Sequence, residues 1–135
     1  MTDPGWALQT AVYGALTTDP ALIDALGGPH IYDHVPRKTV TPYVTFAQSM
    51  VRDWSTGEAE GHEHTLTLHV WAGATGRKKV AAVQAAIRTV LHDAALTLTG
   101  HRLVNMRHEF SEVRRIDDGD TLNGIVRLRA VTEKL

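Results

Sequence analysis

Eight histidines in a chain of 135 residues are the first place to look for chemistry. The tightest group is His62, Glu63, His64 and His69, on a stretch that alternates like a strand. The odd separation of His64 and His69 sends their side chains to opposite faces of such a strand. His62 and His64 share a face, but two ligands beside a glycine-flanked loop fall short of the four a structural zinc site needs. These residues therefore read as surface or capping histidines, and no metal site is expected. The acidic run Asp117-Asp118-Gly119-Asp120 has the outward look of a calcium loop. Counted from Asp117, the twelfth position, which must carry a bidentate Glu, is Leu128, so the run reads as a solvated hairpin turn.

Nucleophilic and nucleotide chemistry fare no better. The chain has no cysteine, which removes disulfides and thiolate nucleophiles or ligands. It has no Gly-x-Ser-x-Gly turn, no phosphate loop with Gly-Lys-Ser/Thr, and no dinucleotide fingerprint. The segment Gly73-Ala74-Thr75-Gly76 leads into Arg77, Lys78 and Lys79 at a helix start, where an anion is welcome but three cations oppose the helix dipole. That conflict suggests that Arg77, Lys78 and Lys79 meet an acidic surface, such as the N-terminal segment of a neighbouring copy. Trp54 falls in the polar stretch 52–62, where burial by a partner competes with packing back on its own strand. No enzyme signature and no cofactor site emerge.

The elements that must position these residues are marked by their ends. Asp3-Pro4 and Asp19-Pro20 each pair a capping acceptor with a residue that has no N–H to waste, so each starts a helix. Trp6, Leu8, Val12, Ala15 and Leu16 give the first helix a buried stripe, and Leu22, Ile23 and Leu26 the second. Gly27-Gly28-Pro29 ends that pair. A short extended piece follows over residues 30–36, then a strand from Pro42 through Ser49, rich in aromatic and β-branched residues. Residues 64–71 alternate cleanly as a half-buried strand. Val80, Val83, Ile87, Val90 and Leu91 recur at helical steps and predict an amphipathic helix over about 77–93.

Leu96 and Leu98 suggest a short strand or lead-in. Val104, Met106, His108 and Phe110 then alternate with polar neighbours as another strand. Val126, Leu128 and Ala130 form the last strand, facing away from Arg127 and Arg129, and the acidic turn before it makes an antiparallel hairpin. The connections 52–62 and 112–124 are long for simple turns. The order ααββαββ predicts an α+β fold, an antiparallel sheet of about four strands with helices packed on one face. The face carrying Thr65, Thr67, Arg127 and Arg129 is then left for solvent or a partner.

A chain of 14.8 kDa without repeats or low-complexity tails fits one domain, residues 1–135. Its longest apolar runs are too short to cross a bilayer, and its start lacks the pattern of a signal peptide, so a soluble chain remaining in the cytosol is expected. The net charge of −1 argues against an electrostatic nucleic-acid clamp. Four acids (Asp3, Asp19, Asp24, Asp33) and no Lys or Arg occupy residues 1–36, whereas the remainder is mildly basic.

Three stretches in order carry a likeness to a known family. Paired helices precede residues 27–36, Gly-Gly-Pro-His-Ile-Tyr-Asp-His-Val-Pro, and then Pro42-Tyr43-Val44-Thr45-Phe46. A strand ending Leu68-His69-Val70-Trp71 leads to a glycine-started helix. Arg114-Arg115-Ile116-Asp117-Asp118-Gly119 and Gly124 close the chain. The series resembles the tail completion, or tail terminator, proteins of long-tailed phages and phage-like gene transfer agents.

The resemblance implies a virion structural protein without catalysis, cofactor or membrane. It implies a homohexameric ring that caps the head-proximal end of the tail tube. That ring joins the tube protein to the head–tail connector or stopper and leaves a channel through which DNA passes without sequence-specific contact. Assembly would take place in the bacterial host cytoplasm. Trp54, Arg77, Lys78, Lys79, Arg114, Arg115, Asp117 and Asp118 are the candidate partner-contacting residues. The alternatives are another connector or neck protein of the same fold, or a small α+β ligand-binding domain or enzyme.

Overall fold

The computed structural model describes residues 3–37 and 39–135. Both N-terminal helices start as their caps dictate. In α1 (Pro4–Thr17) the Asp3 carboxylate accepts the Trp6 N–H at 3.0 Å, and in α2 (Pro20–Leu26) Asp19 accepts the Leu22 N–H at 2.9 Å. Gly27, at φ 78°, ends α2 in the left-handed region that a side chain would resist. Then follow β1 (Ile31–Tyr32), β2 (Tyr43–Asp53), β3 (Gly61–Gly73), α3 (Arg77–Leu91), β4 (His101–Arg115) and β5 (Thr121–Lys134). No helix among the described residues is long and apolar enough to cross a membrane.

The fold is α+β, with the helices on one face of a five-stranded sheet in the order β1-β2-β3-β5-β4. The additional strand is β1, the short extended piece, whose buried Ile31 and neighbour Tyr32 pair parallel with Val44 and Thr45. All other pairings are antiparallel. The central position of β3 and β5 follows from composition. Leu66, Leu68, Val70 and Ala72 of β3 and Leu122, Val126, Leu128 and Ala130 of β5 are all buried beneath the helices. The α3 stripe Val80, Val83, Ile87 and Leu91, fully buried, packs on them. The more polar β4 takes one edge, and β2, beyond the two residues paired with β1, is open on the other, where only one neighbour must be satisfied.

Four expectations are corrected. Trp6 is 60% exposed, and the α1 stripe is Ala7, Leu8, Val12 and Leu16. The connection 52–62 shrinks to a turn over 54–60, because Arg52 and Asp53 still pair with Glu63 and His62. The connection 112–124 likewise shrinks to 116–120, with Arg114 and Arg115 inside β4 paired to Asn123 and Leu122. Polar residues continue as strands there because β2 and β4 stay paired to β3 and β5 while their outer sides are open, and on such exposed stretches alternation no longer reports burial. Finally, β4 has bulges between Leu103 and Asn105 and between His108 and Phe110, so Phe110 crosses to the face opposite Met106. Leu98 is buried, but its segment contributes one isolated bridge, Thr97 to Arg102.

Candidate functional site

The candidate residues divide between the two ends of the sheet. At one end Trp54 opens the β2–β3 turn, its N–H donating to the Gly61 carbonyl at 2.9 Å. Its indole is 52% exposed, with the Arg129 guanidinium 5.5 Å above the ring. Arg129 also binds Glu63 at 2.7 Å, and Glu63 takes Arg52 from the other side at 2.7 Å. The Arg129 hydrogen bond, above all, holds the Glu63 carboxyl below its ordinary pKa. Asp53 is lowered chiefly by the Ser55 hydroxyl it accepts, a bond that stiffens the turn. Trp54 is thus presented on a braced hairpin end.

That arrangement makes a direct prediction. Trp54→Ala loses one cation–π contact, worth about 0.5–1 kcal/mol at an exposed site. The melting temperature of the purified chain should fall by only a few degrees, while assembly is weakened. A drop of ten degrees or more in the isolated chain would place Trp54 in the core instead.

The other candidates gather at the opposite end, about 40 Å along β3 at roughly 3.3 Å per residue. Arg115 Nη1 donates to the Ala74 carbonyl at 3.1 Å and the Gly119 carbonyl at 3.4 Å, tying the β4–β5 turn to the loop before α3. Asp118 accepts the N–H groups of Asp120 (2.8 Å) and Thr121 (3.0 Å) and the Thr121 hydroxyl, which together depress its pKa. Its carboxylate therefore closes the turn, while Asp117 beside it is exposed. Arg77, Lys78 and Lys79 are exposed on the first turn of α3, whose N-cap Gly76 offers no side-chain acceptor. They form no ion pair among the described residues. Arg114 lies across from Asn123 on the helix-free face, and its charge adds to burial in lowering the His69 pKa.

Two features escape a reading of the sequence alone. The register ranges Arg52, Arg102, Arg107, Arg114, Arg127 and Arg129 on the helix-free face, with Glu63, Glu112 and Glu133 among them. Arg102 pairs with Glu133, and the Arg127 guanidinium lies 4.9 Å over Phe110. The bulges hide this set, because a strict period of two puts Phe110 with Met106. The second feature is a mostly apolar groove of about 360 Å³ between α1 and β1, lined by Trp6, Tyr13, Ile31, Tyr32 and Phe46 among others. Trp6 and Tyr13 at i and i+7 were the available signal.

His62, His64 and His101 share the helix-bearing face of the sheet, the His62 ring centroid 6.5 Å from that of His64 and 6.4 Å from that of His101. His64 Nε2 meets the Thr132 hydroxyl at 2.9 Å. Burial first, then the neighbouring His62 and His101, push His64 down to about 4. No group of three or more His, Cys, Asp or Glu among the described residues is arranged to hold a metal.

The chain was compared with known proteins on this basis. The family described as "Tail completion protein gp17" matches residues 10–133. No curated protein matches. Among solved structures, a chain of the "Virion of native gene transfer agent (GTA) particle" superposes with a TM-score of 0.87 at 31% identity, covering 95% of this chain and 96% of that one. The family match runs from within α1 to within β5 and takes in both hairpin ends. The chain belongs to the tail completion protein family.

Proposed function

We propose that this chain is the tail terminator of a phage-type or gene transfer agent particle, a ring that closes the head-proximal end of the tail tube and joins it to the head connector. The observation that carries this reading is the near end-to-end likeness to a chain of a gene transfer agent virion. The division of the candidate residues between two opposite ends supports it, since a joint between tube and connector must offer two different axial surfaces. Trp54 serves one axial partner. Arg77, Lys78, Lys79, Arg114, Arg115 and Asp117 serve the other, with Asp118 holding their turn in shape. In this reading the chain works by assembly, six copies surround the DNA channel, and no bond is made or broken.

The test is electron microscopy of particles from a producing strain from which this chain is deleted. Tails of irregular, overlong length and heads without tails are expected. Tails of normal length that fail to attach would favour a connector or neck role instead, and tails of normal length already joined to heads would end the proposal.

A further inference from the structure

The sheet ends in two open edges. On β2, β1 covers only Val44 and Thr45, a bulge follows between Phe46 and Ser49, and residues 49–53 then run regularly with no strand outside them among the described residues. On β4 the lower half is occupied: Thr97 bridges Arg102, the Asp93 N–H donates to the Met106 carbonyl, and the His108 N–H donates to His92. Beyond the second bulge, residues 110–115 are regular and have no strand outside them among the described residues. Each edge is thus half covered and half open, at opposite ends of the sheet.

Neither open stretch contains Lys or Pro; the charges they carry, Arg52 and Asp53 on one and Glu112, Arg114 and Arg115 on the other, are of both signs, and Met50, Val51 and Phe110 expose apolar surface there. We propose that copies of this chain join edge to edge, residues 49–53 of one pairing antiparallel with residues 110–115 of the next. The inference rests on the ring reading above and supplies its subunit interface. The strand senses already agree, because β2 and β4 run in opposite directions within one copy. The faces agree as well. Met50 and Arg52 lie on the helix-free face with Phe110, Glu112 and Arg114, while Ser49 and Val51 lie on the helix face with Ser111 and Val113. The register that sets Arg52 opposite Glu112 also sets Val51 opposite Val113.

The stagger of the open halves supplies an independent check. Val51 shares a row with His64, Ala130 and Met106, whereas the open half of β4 is centred between Glu112 and Val113. Discounting the bulge, the offset is about five residues, or roughly 17 Å, across four strands spanning about 19 Å. Bringing neighbours level therefore leans the strands by about 40°, within the range of closed sheets. With the near-universal right-handed crossover for β3–α3–β4, the lean takes the right-handed sense of twisted sheets when the helices face outward. The arginine-bearing face then lines the bore.

The absence of native cysteine makes the interface directly testable. Val51→Cys and Ser111→Cys, both at exposed positions, are placed singly and together in the full chain. The chain is concentrated, treated with a short bismaleimide and run on a denaturing gel, with light scattering on the same samples. The double variant should give a ladder of multimers, an equimolar mixture of the single variants dimers at most, and each single variant alone none. Cross-linked dimers from one single variant alone would show like-with-like pairing and overturn the proposal. A multimer by light scattering with no ladder overturns the edge pairing and leaves the ring intact, whereas a monomer without a ladder overturns both.

Discussion

Gly124→Val should unfold a large fraction of this protein at a temperature where the parent is intact, because there is no room for a side chain where α3 meets β5. A Cβ built at Gly124 lies 2.6 Å from Val80 Cγ1, 2.9 Å from Gln84 Nε2 and 3.3 Å from Val70 Cβ. Gln84 cannot step aside freely, since the same amide donates to the Glu112 carbonyl at 2.8 Å and to the Ile125 carbonyl at 3.3 Å. Moving it gives up both of these hydrogen bonds, and moving Val80 disturbs a fully buried residue. Forcing atoms into a filled core costs typically about 1–3 kcal/mol for a methyl, and more for valine.

Gly124→Ala is the sharper probe. Where space allows, replacing Gly by Ala stabilises by about 0.4–1 kcal/mol through the unfolded chain. Here the sign should reverse, with a melting temperature about 5–15 °C lower at a few degrees per kcal/mol. An unchanged or raised melting temperature would show that α3 has slack over the sheet. The glycine that looked like a family motif in the sequence thus has a packing reason.

The second large effect is with pH. His64 is 1% exposed and stays neutral in the fold down to about pH 4, whereas in the unfolded chain it takes up a proton near its ordinary value of 6.5. Between those values the unfolded state binds more protons, so stability falls as pH falls, and above 6.5 the group contributes no slope. The loss is about 2–3 kcal/mol over the window, at 1.36 kcal/mol per unit. His69 and His108, both lowered mainly by burial, add to it in the same direction.

Melting temperatures from pH 7.5 to 4 should therefore decline below about 6.5. His64→Gln keeps a polar partner for Thr132 but cannot titrate, and should flatten part of that decline. An equal slope in the variant would assign the pH sensitivity to other groups. The depressed carboxyls of Asp53, Glu63 and Asp118 extend the same trend, but only at and below the ordinary carboxylate range.

What a strand presents at its edges depends on more than its own residues. The ends of the helices, the amphipathic stripe of α3, the alternation of β3 and β5 and the α+β class all follow from local rules: a cap, a φ preference or a period reports on a few neighbouring residues. Likewise the opposed faces of His64 and His69 needed only the geometry of one strand. The exposure of Trp6 was decided by which face α1 turns to the sheet, and the crossing of Phe110 to the bare face and the shortening of both hairpin turns by register. Register is a property of two strands at once, and a single bulge inverts which side every later residue faces. The separation of Trp54 from the cationic end, and the half-open edges of β2 and β4, depend in turn on which elements cover which strands, and that only the assembled sheet and its helix layer determine.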